Sequence, residues 1–427
     1  MYNTSYSIIV HHPAQMYNIY RGFFWRTLMK ICGIVAEYNP FHNGHAYHCA
    51  KTRGQIGDET AIVAVMSGNF VQRGDFAIVD KYRRAAMAVC AGVDLVIELP
   101  LPAALSSAEG FARGAVASLA AMGCVTHLSF GSECGDLARI RRAAACDRSA
   151  IRDHLVSGQS YAVALQSAVE AVDPDAGALL SSPNNTLGIE YCAAIDALGC
   201  DIQPITVQRD GAAHDSEQLH VRPSASALRR LILDGKADAC REGMPSKAFT
   251  RLTQALDCGA APAHVGVCDA AMLSYLRRLS PDDLLRFTGG KDGLQNRLFE
   301  AIRDHTSIPD ICAAAQTRRY PLARIRRALL RAYLDLPFDA SVEPRYLRVL
   351  AIGPRGREVL RQMGKTAQVP VIIKPVNEKR LPDTADLRRD ALADDLYALA
   401  QPSRAFWTGG SHFRQSPYVA DKENRSL

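Results

Sequence analysis

Residues 30–48, KICGIVAEYNPFHNGHAYH, constrain the fold more than any other stretch of this sequence. The apolar, partly β-branched run over 31–36 predicts a buried strand. A polar turn follows over 37–40, His42 and His45 then flank an Asn-Gly pair, and 46–52 can continue as a helix. A strand, a tight turn and a helix in this order predict a parallel α/β unit whose ligand site lies at the carboxyl end of the strand.

The chemistry of this turn suits a phosphate group. A helix N-terminus offers free backbone N–H groups and the positive end of a dipole, and Gly44 lets the backbone come close to a ligand because it has no Cβ. His42 and His45 can donate hydrogen bonds to oxygens that gain charge during transfer at an α-phosphate, so we interpret both as catalytic. A histidine at a helix start can also act only as a cap, and the H-x-G-H pattern alone leaves both interpretations open.

Strands and helices continue to alternate after this unit. We predict strands over 61–67, 94–99, 126–130 and 202–207, with helices over 80–91 and 108–122 and further helices after the SSPNN turn and after Ser224 or Ser226. Residues 136–172 are predicted as a helical insertion. Alternation at this spacing indicates right-handed βαβ crossovers, and therefore an α/β fold with a doubly wound, Rossmann-like parallel sheet.

Polar residues collect where the predicted strands end. After the second strand they are Ser67, Gly68, Asn69, Gln72, Arg73 and Gly74. A long polar loop is often only solvated, but this placement favours ligand contact. After the fifth strand, Ser226 and Arg229 resemble a phosphate-binding S/T-x-x-R element, although a capped surface helix would give the same pattern.

The regular alternation stops near 236–246. Amphipathic helices are predicted over 269–279, 293–305, 309–315 and 321–334, with short β-like runs over 346–352 and 369–373 and a frayed end from about 401. The segment QTRRYPLARIRRALLRAYL is dense in arginine around Tyr320. An arginine-rich face is usually only solvated, but an aromatic residue among arginines makes an RNA contact plausible, and the candidates are Arg318, Arg319, Arg326 and Arg327.

Length and composition predict two folding units. The chain has 427 residues, 48% of them hydrophobic and 22% charged, as in a globular protein with a sizeable core. The net charge of +6 is compatible with nucleic acid binding, and no apolar run approaches the roughly 20 residues that cross a bilayer. The twelve cysteines form no C-x-x-C pair, so we predict free thiols in a reducing cytoplasm and no metal site.

Longer strings turn these patterns into a resemblance. HNGH directly after a first strand resembles the HIGH-type motif of the nucleotidylyltransferase superfamily, and GIVAEYNPFHNGH is similar to the bacterial tRNA(Met) cytidine acetate ligase family. The strings SGNFVQRG, SFGSE, PNNTLGIEY and TVQR before SASALRR follow in the same order as in that family, and TRRYPLARIRRALL is similar as well. The resemblance covers residues 29 to about 399.

The resemblance implies an activity and a site. Members activate acetate with ATP through an acetyl-adenylate and acetylate N4 of the wobble cytidine of elongator tRNA(Met); Mg²⁺ is expected with ATP, and no membrane is involved. The implied catalytic residues are His42 and His45. The ATP-binding residues implied here are Val35, Ala36, Glu37, Tyr38, Asn39, Pro40, Phe41, His42, Asn43, Gly44, His45, Ala46, Tyr47, His48, Gly131, Asn184, Arg209, Ser226 and Arg229. Ser226 stands where the family commonly has threonine, which keeps the hydroxyl.

The resemblance also implies boundaries. The family begins with a short lead into the first strand, here Met29 and Lys30, so we expect Met29 to be the natural start. Residues 1–28 would then be a disordered or artefactual extension, with a short targeting segment as the alternative. We expect a nucleotidylyltransferase-like ATP-binding domain over 29–238 and a mainly helical domain over 239–427 that contacts tRNA.

Two other functions stay open at this point. A small-molecule adenylyltransferase of cofactor biosynthesis would use the same core motif, but its chain is usually near the size of the first domain alone. A non-enzymatic RNA-binding protein could keep a relict nucleotide fold, although His42, Gly44, His45 and Arg229 are all intact. Dependence of pyrophosphate exchange on acetate separates the first of these from an acetate ligase.

Overall fold

The computed structural model describes residues 29–147, 149, 151, 154, 161–209, 223–290, 292–374, 381 and 383–420. The predicted extension over 1–28 therefore lies outside the described residues.

One mixed sheet organises the described chain. Its eight described strands are β1 Ile31–Ala36, β2 Ala61–Ser67, β5 Leu95–Leu99, β6 His127–Ser132, β7 Gln203–Gln208, β8 Leu347–Ile352, β9 Val371–Ile372 and β10 Tyr418–Val419. Between β2 and β5, the strands β3 Phe70–Val71 and β4 Asp75–Phe76 form a separate antiparallel hairpin. The order is β10-β8-β5-β2-β1-β6-β7, and β5, β2, β1, β6 and β7 are parallel, which confirms the predicted doubly wound sheet.

Helices cover both faces of this sheet, so the central strands are apolar on both faces. All seven residues of β2 are buried, as expected for a strand with packed layers on both sides. Val63 and Val65 belong to the apolar core on one face, while Ile62, Ala64 and Met66 belong to the core on the other.

The helices that accompany the parallel strands have the following bounds: α1 Asn43–Ile56, α2 Lys81–Cys90, α3 Leu101–Ala104, α4 Ala108–Ala121, α5 Leu137–Ala144, α6 Tyr161–Val172, α7 Pro174–Gly177, α8 Pro183–Leu198 and α9 Ala225–Leu233, with 3₁₀ turns at Ala178–Ser181 and Ala237–Gly243. Helices α4, α5, α6 and α8 pack on one face of the sheet, while α1, α2 and α9 pack on the other. The predicted insertion over 136–172 contributes α5 and α6 to the first of these layers.

The residues after β7 and α9 are mainly helical, as predicted. Their helices are α10 Ser246–Asp257, α11 Val265–Leu276, α12 Pro281–Thr288, α13 Leu294–Asp304, α14 Ile308–Ala315, α15 Leu322–Tyr333, α16 Gly356–Thr366, α17 Ala385–Ala398 and α18 Ser411–Arg414, with a 3₁₀ turn at Arg404–Phe406. Helices α11 to α15 enclose a core of their own, which also takes in Phe70 and Phe76 of the β3–β4 hairpin.

The last third of the chain also completes the sheet. Strand β8 pairs antiparallel with β5, and β9 and β10 line its outer side. The prediction of a frayed end from 401 is wrong for the described residues to 420. His412 is fully buried there, with its Nδ1 2.7 Å from Oδ2 of Asp394, and Asp394 forms an ion pair of 2.8 Å with the buried Lys81. A buried charge network fixes this segment where apolar periodicity gives no signal.

A buried guanidinium joins the ends of the two central strands. Arg84 lies on α2 and is fully buried. Its Nε donates to the carbonyl of Val79 at 2.8 Å and its Nη2 to that of Ser67 at 3.1 Å. The same side chain donates to the carbonyls of Glu37 after β1 and Gly68 after β2. The loops after β1 and β2 therefore share one anchor with the start of α2.

We expect Arg84→Met to lower the free energy of unfolding by about 3 kcal/mol or more, because several buried carbonyls lose a charged donor at once. Urea unfolding followed by circular dichroism measures the change. Arg83→Met is the matched control. Its guanidinium is partly exposed in an ion pair of 2.5 Å with Asp80, so its loss should cost no more than about 1 kcal/mol. Equal losses in the two variants would contradict the anchoring role.

Candidate active site

The predicted histidine pair builds the start of helix α1. The helix begins at Asn43, earlier than the predicted 46, so the Asn-Gly pair forms its first turn and not a separate turn. His42 is the N-cap residue, and its Nδ1 accepts the N–H of Gly44 at 3.0 Å. The Nδ1 of His45 accepts the N–H of His42 at 3.2 Å. The two imidazoles thus cap the helix reciprocally and stack with ring centroids 3.7 Å apart.

Gly44 is explained by this cap. A Cβ at position 44 would lie 2.8 Å from Cε1 of His42, which is too close for any carbon contact. The place that a Cβ would take at Gly44 is thus occupied by the His42 ring. Gly44 serves the site by admitting the imidazole that caps the helix.

The capping bonds also fix the chemistry of both rings. A neutral imidazole that accepts a hydrogen bond at Nδ1 carries its proton at Nε2. Burial, then the charges of Arg209 and Arg229, lower the pKa of His42 to about 3. Burial and the neighbouring His42 and Arg209 hold the pKa of His45 well below its ordinary value. Both rings are therefore neutral near pH 7, each with an Nε2–H to donate.

A third histidine, His48 on α1, contacts strand β6. Nε2 of His48 lies 2.9 Å from Oγ of Ser129 on β6, and that hydroxyl lies 2.7 Å from Oγ1 of Thr52. Burial and then the charge of Arg209 lower the pKa of His48 to about 4. His48 thus links α1 to β6.

The loop between β1 and α1 is fastened on several sides. Oε1 of Glu37 accepts the N–H of Gln72 at 2.8 Å, and Oδ1 of Asn39 accepts the N–H of Ile78 at 2.9 Å. Nδ2 of Asn43 donates to the carbonyl of Glu242 at 2.7 Å.

The remaining predicted residues of this segment lie around the histidine pair. Tyr38, with a positive φ of 46°, packs its ring 4.8 Å from that of His45. Of the other predicted residues, Val35 and Ala36 end β1, Pro40 and Phe41 lie in the loop, and Ala46 and Tyr47 lie on α1.

The predicted S-x-x-R element reaches this loop. Arg229 on α9 donates from Nη1 to the carbonyl of Asn39 at 2.9 Å and from Nη2 to Oγ of Ser226 at 3.0 Å. Burial, the largest influence, lowers the pKa of Arg229. The structure therefore brings Ser226 and Arg229 beside the histidine loop.

A second cluster forms where β6 and β7 end. Nη1 of Arg209 donates to Oδ1 of Asn184 at 3.1 Å. A Cβ on Gly131 would lie 3.3 Å from Cγ of Arg209, so the small residue lets that side chain cross it closely. Gly131, Asn184 and Arg209 come from distant parts of the sequence, and the structure brings them together.

Glu133 orders this cluster, and sequence reasoning missed it. Its carboxylate accepts the Nδ2–H of Asn184 at 2.7 Å and the N–H of Asn185 at 2.8 Å. Oδ1 of Asn185 in turn accepts the N–H of Glu133 at 3.0 Å. The one indication in the sequence was its position two residues after Gly131 in the SFGSE string. Glu133 orients the amide of Asn184 toward Arg209.

Both clusters lie at one crevice. Strand order reverses between β1 and β6, and ligands of open α/β sheets bind outside the carboxyl ends of strands at such a point. The charge of Arg209 acts on His42, His45 and His48 alike. Neutral donors at a helix start and a guanidinium across the crevice can together hold a polyphosphate and its nucleoside.

The four arginines predicted to contact tRNA fall into two pairs. Arg318 and Arg319 precede α15 and are exposed. Arg326 and Arg327 lie on α15 against the β3–β4 hairpin, and Nη1 of Arg327 donates to the carbonyl of Gln72 at 3.2 Å. Burial, the largest influence, lowers the pKa of Arg327 to about 10. The second pair therefore has a packing role whether or not it also meets RNA.

Comparison with known proteins defines the class first. The family model described as HIGH Nucleotidyl Transferase matches residues 29–409. A match over most of the chain shows that the protein belongs to the HIGH nucleotidyl transferase class.

Relatives define the family within that class. The tRNA(Met) cytidine acetate ligase of Alkaliphilus metalliredigens is 34% identical over 91% of this chain and 99% of its own. That of Thermoanaerobacter sp. is 35% identical over 87% of this chain and 96% of its own. The crystal structure of Thermotoga maritima TmcAL bound with alpha-thio ATP superposes with a TM-score of 0.84 at 31% identity, over 92% of this chain and 99% of that one. The chain belongs to the tRNA(Met) cytidine acetate ligase family.

Two findings concern the wider set of described residues. None of their helices combines the length and the apolar character that a membrane span requires. They also contain no group of three or more His, Cys, Asp or Glu side chains that could hold a metal ion.

The buried His42 predicts an acid-dependent stability. Its pKa is about 3 in the folded chain, against an ordinary value of 6.5. The unfolded chain takes up a proton at His42 below about pH 6.5, but the folded chain does not. The stability that neutral His42 contributes is therefore fully present above pH 6.5, and it is lost as the pH falls, by up to roughly 1.4 kcal/mol per pH unit for one proton. Asparagine is a favoured N-cap that does not titrate. Between pH 7 and pH 5, His42→Asn should lose about 2 kcal/mol less than wild type in urea unfolding. If the free energy of unfolding changed equally with pH in both proteins, the lowered pKa of His42 would be contradicted.

Proposed function

We propose that this chain uses ATP and acetate to form N4-acetylcytidine at the wobble position of elongator tRNA(Met). The observation that carries the proposal is the pair of neutral, stacked imidazoles at the start of α1, facing the cluster of Gly131, Asn184 and Arg209. The names of relatives that match nearly end to end support the same substrate class.

In this proposal the residues divide the nucleotide between them. The adenosine part lies against Gly131, Asn184 and Arg209 at the ends of β6 and β7. The α-phosphate lies at the start of α1, over residues 35–48. Ser226 and Arg229 lie beside that loop and take the outer phosphates. His42 and His45 donate from Nε2 to α-phosphate oxygens, and such donors act most strongly where water is excluded.

The proposed reaction has two steps. A carboxylate oxygen of acetate attacks the α-phosphorus, the bond from that phosphorus to the bridging oxygen breaks, and pyrophosphate leaves with the electron pair, giving acetyl-adenylate. The N4 amine of the cytidine then attacks the acetyl carbon, the bond to the adenylate oxygen breaks, and AMP leaves as the amine loses a proton. Neither step needs a protein nucleophile. Catalysis consists of positioning and charge stabilisation.

We propose that Mg²⁺ enters with ATP. Mg²⁺ usually keeps several waters and binds through phosphates with one or two carboxylates. That mode fits described residues that offer no cluster of three ligating side chains. The ion would neutralise phosphate charge, while the imidazoles and arginines orient the nucleotide.

We place the protein in the cytoplasm, where its tRNA and ATP occur. All twelve cysteines are free thiols, which suits a reducing compartment. The alternatives of a small-molecule adenylyltransferase and of a non-enzymatic RNA-binding protein receive less support, because the similarity to the ligases extends through the helical region that a minimal adenylyltransferase lacks.

The two nitrogen positions of His45 can be separated by amide substitutions. Asparagine imitates Nδ1 and keeps the capping acceptor, whereas glutamine reaches the position of Nε2. We expect His45→Asn to lower acetate-dependent pyrophosphate exchange and tRNA acetylation by about 10²–10³ with little change in melting temperature, since one charge-stabilising donor is lost. His45→Gln should keep more activity but lose stability. Near wild-type activity of His45→Asn would contradict the catalytic role and the proposed function.

The exposed arginine pair should report on tRNA. We expect Arg318→Ala with Arg319→Ala to weaken tRNA binding and to lower its salt slope by roughly 0.7 to 0.9 for each phosphate that the variant no longer neutralises. Acetate-dependent exchange should persist because these residues are exposed and lie outside the crevice. Filter binding at several salt concentrations measures the slope. The pair Arg326→Ala with Arg327→Ala is the contrast, since it disturbs the hairpin beside Glu37 and should reduce exchange as well. An unchanged slope would make the exposed pair merely solvated.

A further inference from the structure

The β3–β4 hairpin is held between the loop that joins β1 to α1 and helix α15. The N–H of Gln72 donates to Oε1 of Glu37 at 2.8 Å, and the carbonyl of Gln72 accepts from Nη1 of Arg327 at 3.2 Å. Gly74 has a φ of 75°, and a Cβ there would lie 2.5 Å from the backbone nitrogen of Arg327. The residue at the tip between Gln72 and Gly74 is therefore presented from a fixed base.

That residue is Arg73, and its charge is not used by the fold. Its side chain is exposed. Within the described part of the chain, no acceptor takes a hydrogen bond or ion pair from its guanidinium. Nearby arginines differ, because Arg84, Arg229 and Arg327 all donate to backbone carbonyls. Arg73 is close enough to Arg229 to lower the pKa of that group.

The position of Arg73 separates it from the adenosine cluster. Strand β2, which leads into the hairpin, lies on one side of β1, and β6 lies on the other. The start of α1, with His42 and His45, follows β1 between them. A small anion held at Arg73 would thus reach the α-phosphate from the side away from Gly131, Asn184 and Arg209.

The second substrate of the proposed reaction has that chemistry. Acetate offers only a carboxylate and a methyl group, so its recognition depends on a charged contact. A guanidinium binds a carboxylate through two parallel N–H bonds and fixes its orientation. Resting on the proposed function, we propose that Arg73 binds the acetate carboxylate and positions it for attack on the α-phosphorus.

Acetate-dependent exchange of pyrophosphate into ATP, without tRNA, tests the proposal on the full chain. Arg73→Ala should raise the KM for acetate by about 10- to 100-fold, as expected for the loss of a charged hydrogen bond, and leave the KM for ATP within about twofold. Arg73→Lys keeps the charge but not the two parallel N–H donors, so its KM for acetate should lie between those of Arg73→Ala and wild type. Arg278→Ala is the matched control, because Arg278 is also exposed and far along the chain from the crevice.

Other outcomes overturn the inference in distinguishable ways. A raised KM for ATP alone would make Arg73 a phosphate contact, and unchanged constants with weaker tRNA acetylation would make it an RNA contact. If exchange is too slow to measure in Arg73→Ala, saturation-transfer NMR of acetate with the protein and a non-hydrolysable ATP analogue decides, and undiminished acetate binding would overturn the inference. A wild-type chain without any acetate-dependent exchange would overturn the proposed function, and this inference with it.

Discussion

The carboxyl edge of the sheet depends on the buried guanidinium of Arg84. A charge enclosed without partners would cost far more than the fold can recover, and here backbone carbonyls from three loops satisfy it. Glu37 after β1 and Gly68 after β2 are thereby held at one point. The loop that leads from β1 to His42 and the loop that leads from β2 to Arg73 therefore share this anchor, whereas Gly131, Asn184 and Arg209 after β6 and β7 are ordered separately through Glu133.

The histidine pair is constrained by its own capping bonds. The Nδ1 atoms of His42 and His45 are both used in capping α1, so the tautomer with a proton on Nε2 follows from the fold. Gly44 is required because the His42 ring occupies the place of its Cβ. The helix start and the chemical character of its donors are therefore one structural feature, and a substitution that changes the cap also changes the chemistry.

Sequence patterns predicted what depends on periodicity and missed what depends on buried polar contacts. β1 and β2 have the predicted bounds because their runs are apolar on both faces. The start of α1 at Asn43 was missed, since imidazole capping is not among the usual N-cap signals. The arginine-dense stretch suggested RNA, yet Arg331 within it is buried and donates to the carbonyls of Leu105, Pro102 and Pro337. Nothing in its spacing separates it from its exposed neighbours.

The hairpin explains how a helical region remote in sequence can serve the crevice. Phe70 and Phe76 lie in the core of helices α11 to α15, while Gln72 between them bonds to Glu37 on one side and to Arg327 on the other. The hairpin therefore packs in the helical core and also contacts the loop that joins β1 to α1. Because Gln72 bonds to both, the position of α15 is linked through one residue to the position of Glu37 after β1.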